Sequence, residues 1–189
     1  MDPLISNVGH TSSAAHLLPY QSKYLDADFY KEMDVMSESL WDIPVEGRCL
    51  TVANSEFLAA MHRKVCRGIL EDNEFVEMLR SCRFDVAIHE VYELCAVAIF
   101  ELIGVKKPVI ASAIGMLPYI DEVVGFSPNP SFVPDTYSTY SDEMTFWERM
   151  HNMKLGLEMR YRFHFFEKEL WSLFNNAHPG FPNLKDLLK

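Results

Sequence analysis

The stretch from Arg83 to Ser112 constrains this chain more than any other. An apolar run, Phe84-Asp85-Val86-Ala87-Ile88, precedes an apolar helical pattern that Gly104 closes, and a second apolar run, Val109-Ile110-Ala111, follows behind Pro108. Strand-length runs on either side of a helix-length one, with glycine ending the helix and proline opening the next segment, predict strand, crossover helix and parallel strand. Such βαβ units have one hand in nearly all proteins, and their ligands gather at the carboxyl ends of the strands. His89, Glu90 and Tyr92 fall at that end. Polar groups interrupting a buried run need a reason to be there. The simplest reason is that the strand stops; the chemical one is a carboxylate, Glu90, placed to act as an acid or base or to orient an imidazole.

Elsewhere the pattern alternates helix and strand. Phe57, Leu58, Met61, Val65, Ile69 and Leu70 recur at helical spacing, which predicts a helix over 53–70 capped by Asn54 or Ser55. Residues 74–80 predict a short amphipathic helix feeding the Phe84 strand, and 24–41 a marginal surface helix stopped by Ile43-Pro44-Val45-Glu46-Gly47. The first 25 residues read as loop with at most one short strand near 16–20. Beyond Ser112 we expect a loop and a helix from Met116 to Val124. Then comes an extended loop, Gly125 to Pro134, in which three prolines within seven residues deny both ladder donors and helix continuation. The longest helical pattern runs from Ser141 to Asn176, with Asp142 and Glu143 in its first turn, and His178-Pro179-Gly180 ends it. Phe146, Met150, Met153, Leu157, Tyr161, Phe165, Leu170 and Phe174 read as one packed face of it. The expectation is an α/β fold in one domain, for which 189 residues, 49% of them apolar, suffice.

Several chemistries lack their defining pieces. A net charge of -10 argues against a nucleic-acid partner, because phosphate binding needs clustered Lys and Arg. Cys49, Cys66, Cys82 and Cys95 have no CxxC spacing, which indicates neither zinc nor a redox motif; Cys82 and Cys95 read as small hydrophobes. His151 and His164 have no HExxH context or clustered carboxylate, and His62 reads as a surface or packing residue, so no metal is expected. No GxSxG elbow, Walker loop or GxGxxG is present. A small hydrolase using His89 and Glu90 therefore lacks its nucleophile. The amino terminus has neither the basic start nor the apolar core of a signal peptide, and no apolar run approaches the roughly 18 residues of a membrane helix.

Three stretches in order carry a resemblance: Phe84-Asp85-Val86-Ala87-Ile88 with Glu90 and Cys95; Ser131-Phe132-Val133-Pro134 within the proline-rich loop; and Asp142-x-Met144-x-Phe146-x-x-Arg149-x-x-Asn152. Together they resemble the amino-terminal half of UDP-glucuronosyl/UDP-glucosyltransferases, most of all the nematode branch, from about residue 25 onward. The resemblance implies a GT-B architecture, here a partial Rossmann-like parallel sheet with flanking helices. It implies an acceptor bound by this half and a UDP-sugar, a co-substrate rather than a cofactor, bound mainly by the carboxyl-terminal half. In that family a histidine after the first strand takes the proton of the acceptor hydroxyl, which attacks the anomeric carbon with inversion, while a carboxylate after a later strand orients the imidazole. That carboxylate position falls on Glu90, where many relatives have Asp. Tyr92, Met116, Tyr119, Phe126 and Phe132 are the expected walls for a small lipophilic acceptor.

The first strand and its histidine have no counterpart, since His10 lacks a preceding apolar strand, so residues 1–189 are expected to be a partial domain, inactive alone. The family implies an endoplasmic-reticulum membrane protein with this half in the lumen, held to the membrane only through segments not found here. A homo-oligomer is compatible with it. The alternative is a non-catalytic module of the same fold that binds a lipophile or a protein.

Overall fold

The computed structural model describes residues 18, 20–31, 33–34, 52–91, 93–112, 120, 123, 125–126, 129–136 and 138–188. Their elements are α1 (Val52–Glu71), α2 (Asn73–Ser81), β1 (Ala87–Glu90), α3 (Leu94–Ile103), β2 (Pro108–Ala111), α4 (Phe146–Ala177) and α5 (Leu184–Leu187). Residues 27–31 and 33–34 are helical, and the rest of the helix expected over 24–41 lies mostly outside the described residues, as does most of 116–124.

The expected βαβ unit is present. β1 and β2 pair in parallel with Ala87 opposite Pro108 and Glu90 opposite Ala111. Pro108, which has no N–H to give the ladder, takes the first position of β2. The crossover helix α3 is apolar on most sides and buries Leu94, Cys95, Val97, Ala98 and Ile99. Gly104 ends it at φ 87°, a left-handed conformation that a Cβ disfavours, and donates its N–H back to Glu101 and Phe100. Within β1 the side chains alternate, so that His89 is buried while Ile88 is exposed.

Cys95 is not the free hydrophobe expected from its surroundings. It is disulfide-bonded to Cys66 of α1, 29 residues earlier. Cys82 is free and exposed. Around the bridge lie Leu70, Val91, Leu94, Ala98, Ile120, Leu170, Phe174, Phe181 and Leu184, the centre of the core. The segment at 20–25 closes over α1. Ser22 is buried and donates its hydroxyl to the Lys64 carbonyl at 2.7 Å. Gly68 makes this approach fit, since a Cβ there would stand 2.2 Å from the Ser22 hydroxyl. Glu71 receives Lys23 and Arg67, each at 2.8 Å, together with the Tyr24 hydroxyl, and these partners pull its carboxyl down to about 2.

Two expectations about the long helix are corrected. It starts at Phe146, not Ser141: Thr145 is the N-cap, and its hydroxyl and the Glu148 carboxylate satisfy each other's backbone N–H groups in a capping box. Asp142 and Glu143 thus precede the helix, and Glu148 is the acid in its first turn. The supposed single face is two. At about 100° per residue, side chains spaced by four drift around the helix, and Leu170 lies roughly 140° from Phe165. Phe146, Met150, Met153, Leu157, Tyr161 and Phe165 are exposed. The inward face is Asn152, Phe163, Phe166, Leu170 and Phe174.

Asn152 is buried, and its three hydrogen bonds tie the proline-rich loop to α4. Its amide nitrogen donates to the carbonyls of Pro130 and Val133, both at 2.9 Å, and its oxygen accepts from the Asp135 N–H at 2.7 Å. Arg149 donates to the Met144 carbonyl at 3.0 Å, and Met144 is buried beside the helix start.

Leu170→Ala should lower stability by about 2–5 kcal/mol, as buried leucine truncations do, whereas Leu157→Ala should change it by less than about 0.5 kcal/mol. Urea unfolding followed by circular dichroism measures both. The same assay on the Cys66→Ala/Cys95→Ala protein should show a loss of about 3–4 kcal/mol, the loop entropy a bridge of this span removes from the unfolded chain.

Candidate functional site

Glu90 is the last residue of β1, at the carboxyl end where a parallel sheet presents its chemistry. Its carbonyl accepts two hydrogen bonds of 2.9 Å, one from the Glu93 N–H and one from His89 Nδ1. Its carboxylate Oε1 accepts from the Val91 N–H at 3.2 Å. The turn out of the strand is thereby held from both sides, which fixes where the half-buried Glu90 side chain starts.

A bond from Nδ1 to a carbonyl requires the proton on Nδ1, so the His89 ring presents a lone pair at Nε2. Nε2 is buried and has no hydrogen-bond partner among the described residues. The ring packs edge-on to Phe100, centroids 5.9 Å apart. Burial pushes the His89 pKa down, so the ring is neutral at physiological pH and is no counter-ion for the carboxylates beside it.

A second pair stands beside it. Glu93 occupies the N-cap position of α3 without making a cap hydrogen bond; its Oε1 lies instead 2.9 Å from Nε2 of His62 on α1. That hydrogen bond, outweighing the opposing effect of burial, holds the Glu93 carboxyl below its ordinary range. His62 also lies against Phe166, centroids 5.9 Å apart. Placing His62 among surface or packing residues therefore missed its partner. His62 is one turn before Cys66, and Glu93 two residues before Cys95, so the disulfide brings the pair together. No local motif announces that; the pairing of the cysteines would have been the only signal.

Of the walls expected for an acceptor, Phe126 and Phe132 stand on the proline-rich loop, more than half exposed. Tyr92, Met116 and Tyr119 lie outside the described residues. The structure thus gathers His62, His89, Glu90 and Glu93 at one strand end and leaves the described aromatic residues of the loop open to solvent. His164 Nδ1 stands 3.7 Å from Glu167 Oε2. His151 Nδ1 meets the Tyr140 hydroxyl at 2.6 Å. Among the described residues no three His, Cys, Asp or Glu side chains form a metal-binding group, and no helix is long and apolar enough to cross a membrane.

A family model described as UDP-glucoronosyl and UDP-glucosyl transferase matches residues 6–187. Caenorhabditis elegans ugt-56 is 35% identical over 99 residues, 52% of this chain and 19% of that protein. Macaca fascicularis UDP-glucuronosyltransferase 2B30 is 31% identical over 124 residues, 65% of this chain and 23% of that protein. Human UDP-glucuronosyltransferase 2B7 is 28% identical over 120 residues, with 64% and 23% covered. The chain thus spans about a fifth to a quarter of the length of these relatives. No solved structure matches it.

The two shifted groups should make acid destabilising in two steps. His89, with its native pKa below 6.5, leaves the unfolded chain to bind a proton first, so stability falls as pH drops below about 6.5. Glu93, with its native pKa below 4.5, contributes stability above about 4.5 that is lost as pH falls through its lower native value. Urea midpoints measured from pH 7.5 to 3.5 should show His89→Gln flattening the upper part of the decline and Glu93→Gln the lower part.

Proposed function

Because this chain belongs to the UDP-glucuronosyl and UDP-glucosyl transferase family, we propose that it forms the acceptor side of a sugar transferase. The reaction moves a glucuronosyl or glucosyl group from a UDP-sugar to a hydroxyl of a small lipophilic acceptor. The hydroxyl oxygen bonds to the anomeric carbon, UDP leaves from the opposite face, and the configuration inverts. Residues 1–189 act as the acceptor-binding half of a GT-B enzyme, and the UDP-sugar is held mainly by a second half.

The observation that carries this reading is the position of Glu90: a carboxylate on the last residue of a parallel strand, its main chain clamped by His89 and Glu93. A carboxylate so placed can orient a histidine in the tautomer that accepts the hydroxyl proton and can stabilise the imidazolium that follows. Glu90 is one methylene longer than the Asp of many relatives, which displaces the carboxylate by about one bond length, a change that matters for proton transfer. The acceptor would lie against Tyr92, Met116, Tyr119, Phe126 and Phe132. A disulfide between buried cysteines suits an oxidising compartment and supports an endoplasmic-reticulum lumen for this half.

The test joins this chain between the first-strand segment of the nematode relative, with the histidine that follows it, and that relative's carboxyl-terminal half, and assays transfer from UDP-glucose and UDP-glucuronate to 1-naphthol. The fused protein should form product of inverted anomeric configuration, read from the anomeric proton coupling, while the chain alone turns over neither donor. Glu90→Gln should lower kcat by about 10²–10⁴, the usual worth of acid-base assistance, and Glu90→Asp, which keeps the charge but moves it by about one bond length, should lower it by a smaller factor. A retained configuration, or a Glu90→Gln protein with unchanged kcat, would contradict the assignment.

A further inference from the structure

Two donors converge on one carbonyl at the end of β1. The Glu90 oxygen accepts from the Glu93 N–H and from His89 Nδ1, each at 2.9 Å. A carbonyl oxygen has two lone pairs, and both are engaged. One hydrogen bond would leave the Glu90–Val91 peptide free to rock about it; a second, from a side chain on the strand, holds the plane. Side-chain rotamers depend on backbone angles, so a held plane limits where the Glu90 carboxylate can go. Its Oε1 meets the Val91 N–H of the same peptide at 3.2 Å.

The Glu93 bond is one that tight turns commonly supply, an N–H three residues beyond the carbonyl. The His89 bond needs a particular side chain. His89 pairs with Ile110 of β2, is 6% exposed and lies edge-on to Phe100. An aliphatic side chain suits such surroundings and buries no polar atom. The imidazole buries Nε2 with no hydrogen-bond partner among the described residues. An acceptor withdrawn from water and left unpaired costs stability. A side chain that weakens the core and yet holds the peptide beside a carboxylate breaks a local rule of folding, and such breaches gather at functional sites.

We infer that His89 is a positioning residue for Glu90: its Nδ1–H fixes the Glu90–Val91 peptide so that the carboxylate keeps one orientation, at the expense of an unpaired Nε2 in the core. The role rests on the reading of Glu90 as the carboxylate that orients the transferase histidine. His89 acts through Glu90, not on the acceptor or the sugar.

Two measurements use the whole chain. Three-bond NMR couplings about the Glu90 Cα–Cβ bond should show one rotamer in the parent and an average over several in His89→Leu and His89→Gln. His89→Asn, whose amide nitrogen can stand where Nδ1 does, should keep one. Urea unfolding at pH 7.5 should place the His89→Leu midpoint at or above that of the parent, because this variant buries no unpaired acceptor. A third measurement uses the fused transferase. There His89→Leu should lower kcat about 10–100-fold while KM for 1-naphthol changes less than about threefold, and His89→Asn should recover most of the loss. The inference is overturned if Glu90 keeps one rotamer in every variant, if the His89→Leu midpoint falls below that of the parent, or if His89→Asn transfers no faster than His89→Leu. A fused parent that forms no product overturns the transferase reading instead, and the couplings in the chain alone then decide whether His89 positions Glu90.

Discussion

The arrangement depends on one covalent constraint, the Cys66–Cys95 bridge between α1 and the crossover helix α3. A two-stranded parallel sheet has little cohesion of its own; its strands need a covering helix and neighbours to hold that helix in place. The bridge supplies the fixed point. One turn before Cys66 on α1 stands His62, and two residues before Cys95 stands Glu93, so the tie that orders the core also sets the imidazole against the carboxylate. Glu93 in turn donates its N–H to the Glu90 carbonyl. Core packing and the chemical end of the sheet are therefore parts of one chain of contacts.

A second constraint acts at a distance from the sheet. Three prolines in the loop at 125–134 lack an N–H and so interrupt any ladder it could form. Asn152 meets the loop from α4 with two donors and one acceptor, all three used there. A single buried side chain thus ties the loop to the start of the long helix. It also accounts for the burial of a polar residue near the start of the long helix.

At the strand end, burial and charge divide the titratable groups into roles. His89 is desolvated and neutral, with its proton committed to the Glu90 carbonyl. Glu93 is ionised beside His62. Glu90 projects from a main chain whose carbonyl both His89 Nδ1 and the Glu93 N–H hold. The family model matches the chain over residues 6–187, a span that includes this strand end.

Local pattern was enough to read the βαβ unit, the glycine that ends α3, the proline that opens β2 and the helices α1 and α2, because each is set by residues within a few positions of one another. It also showed Glu90 at a strand end. The two faces of α4 were not legible. Periodicity shows which side chains share a stripe, but which stripe meets the core depends on where the helix lands, and the drift of a four-residue spacing joined two stripes into one. Nor was the His62–Glu93 pair legible, since its members are 31 positions apart and meet where two helices pack beside the disulfide. The sequence by itself determined the elements and the order of the α/β fold. The tertiary structure alone decided which polar groups touch, because contact across the chain depends on packing, and packing is not a local property.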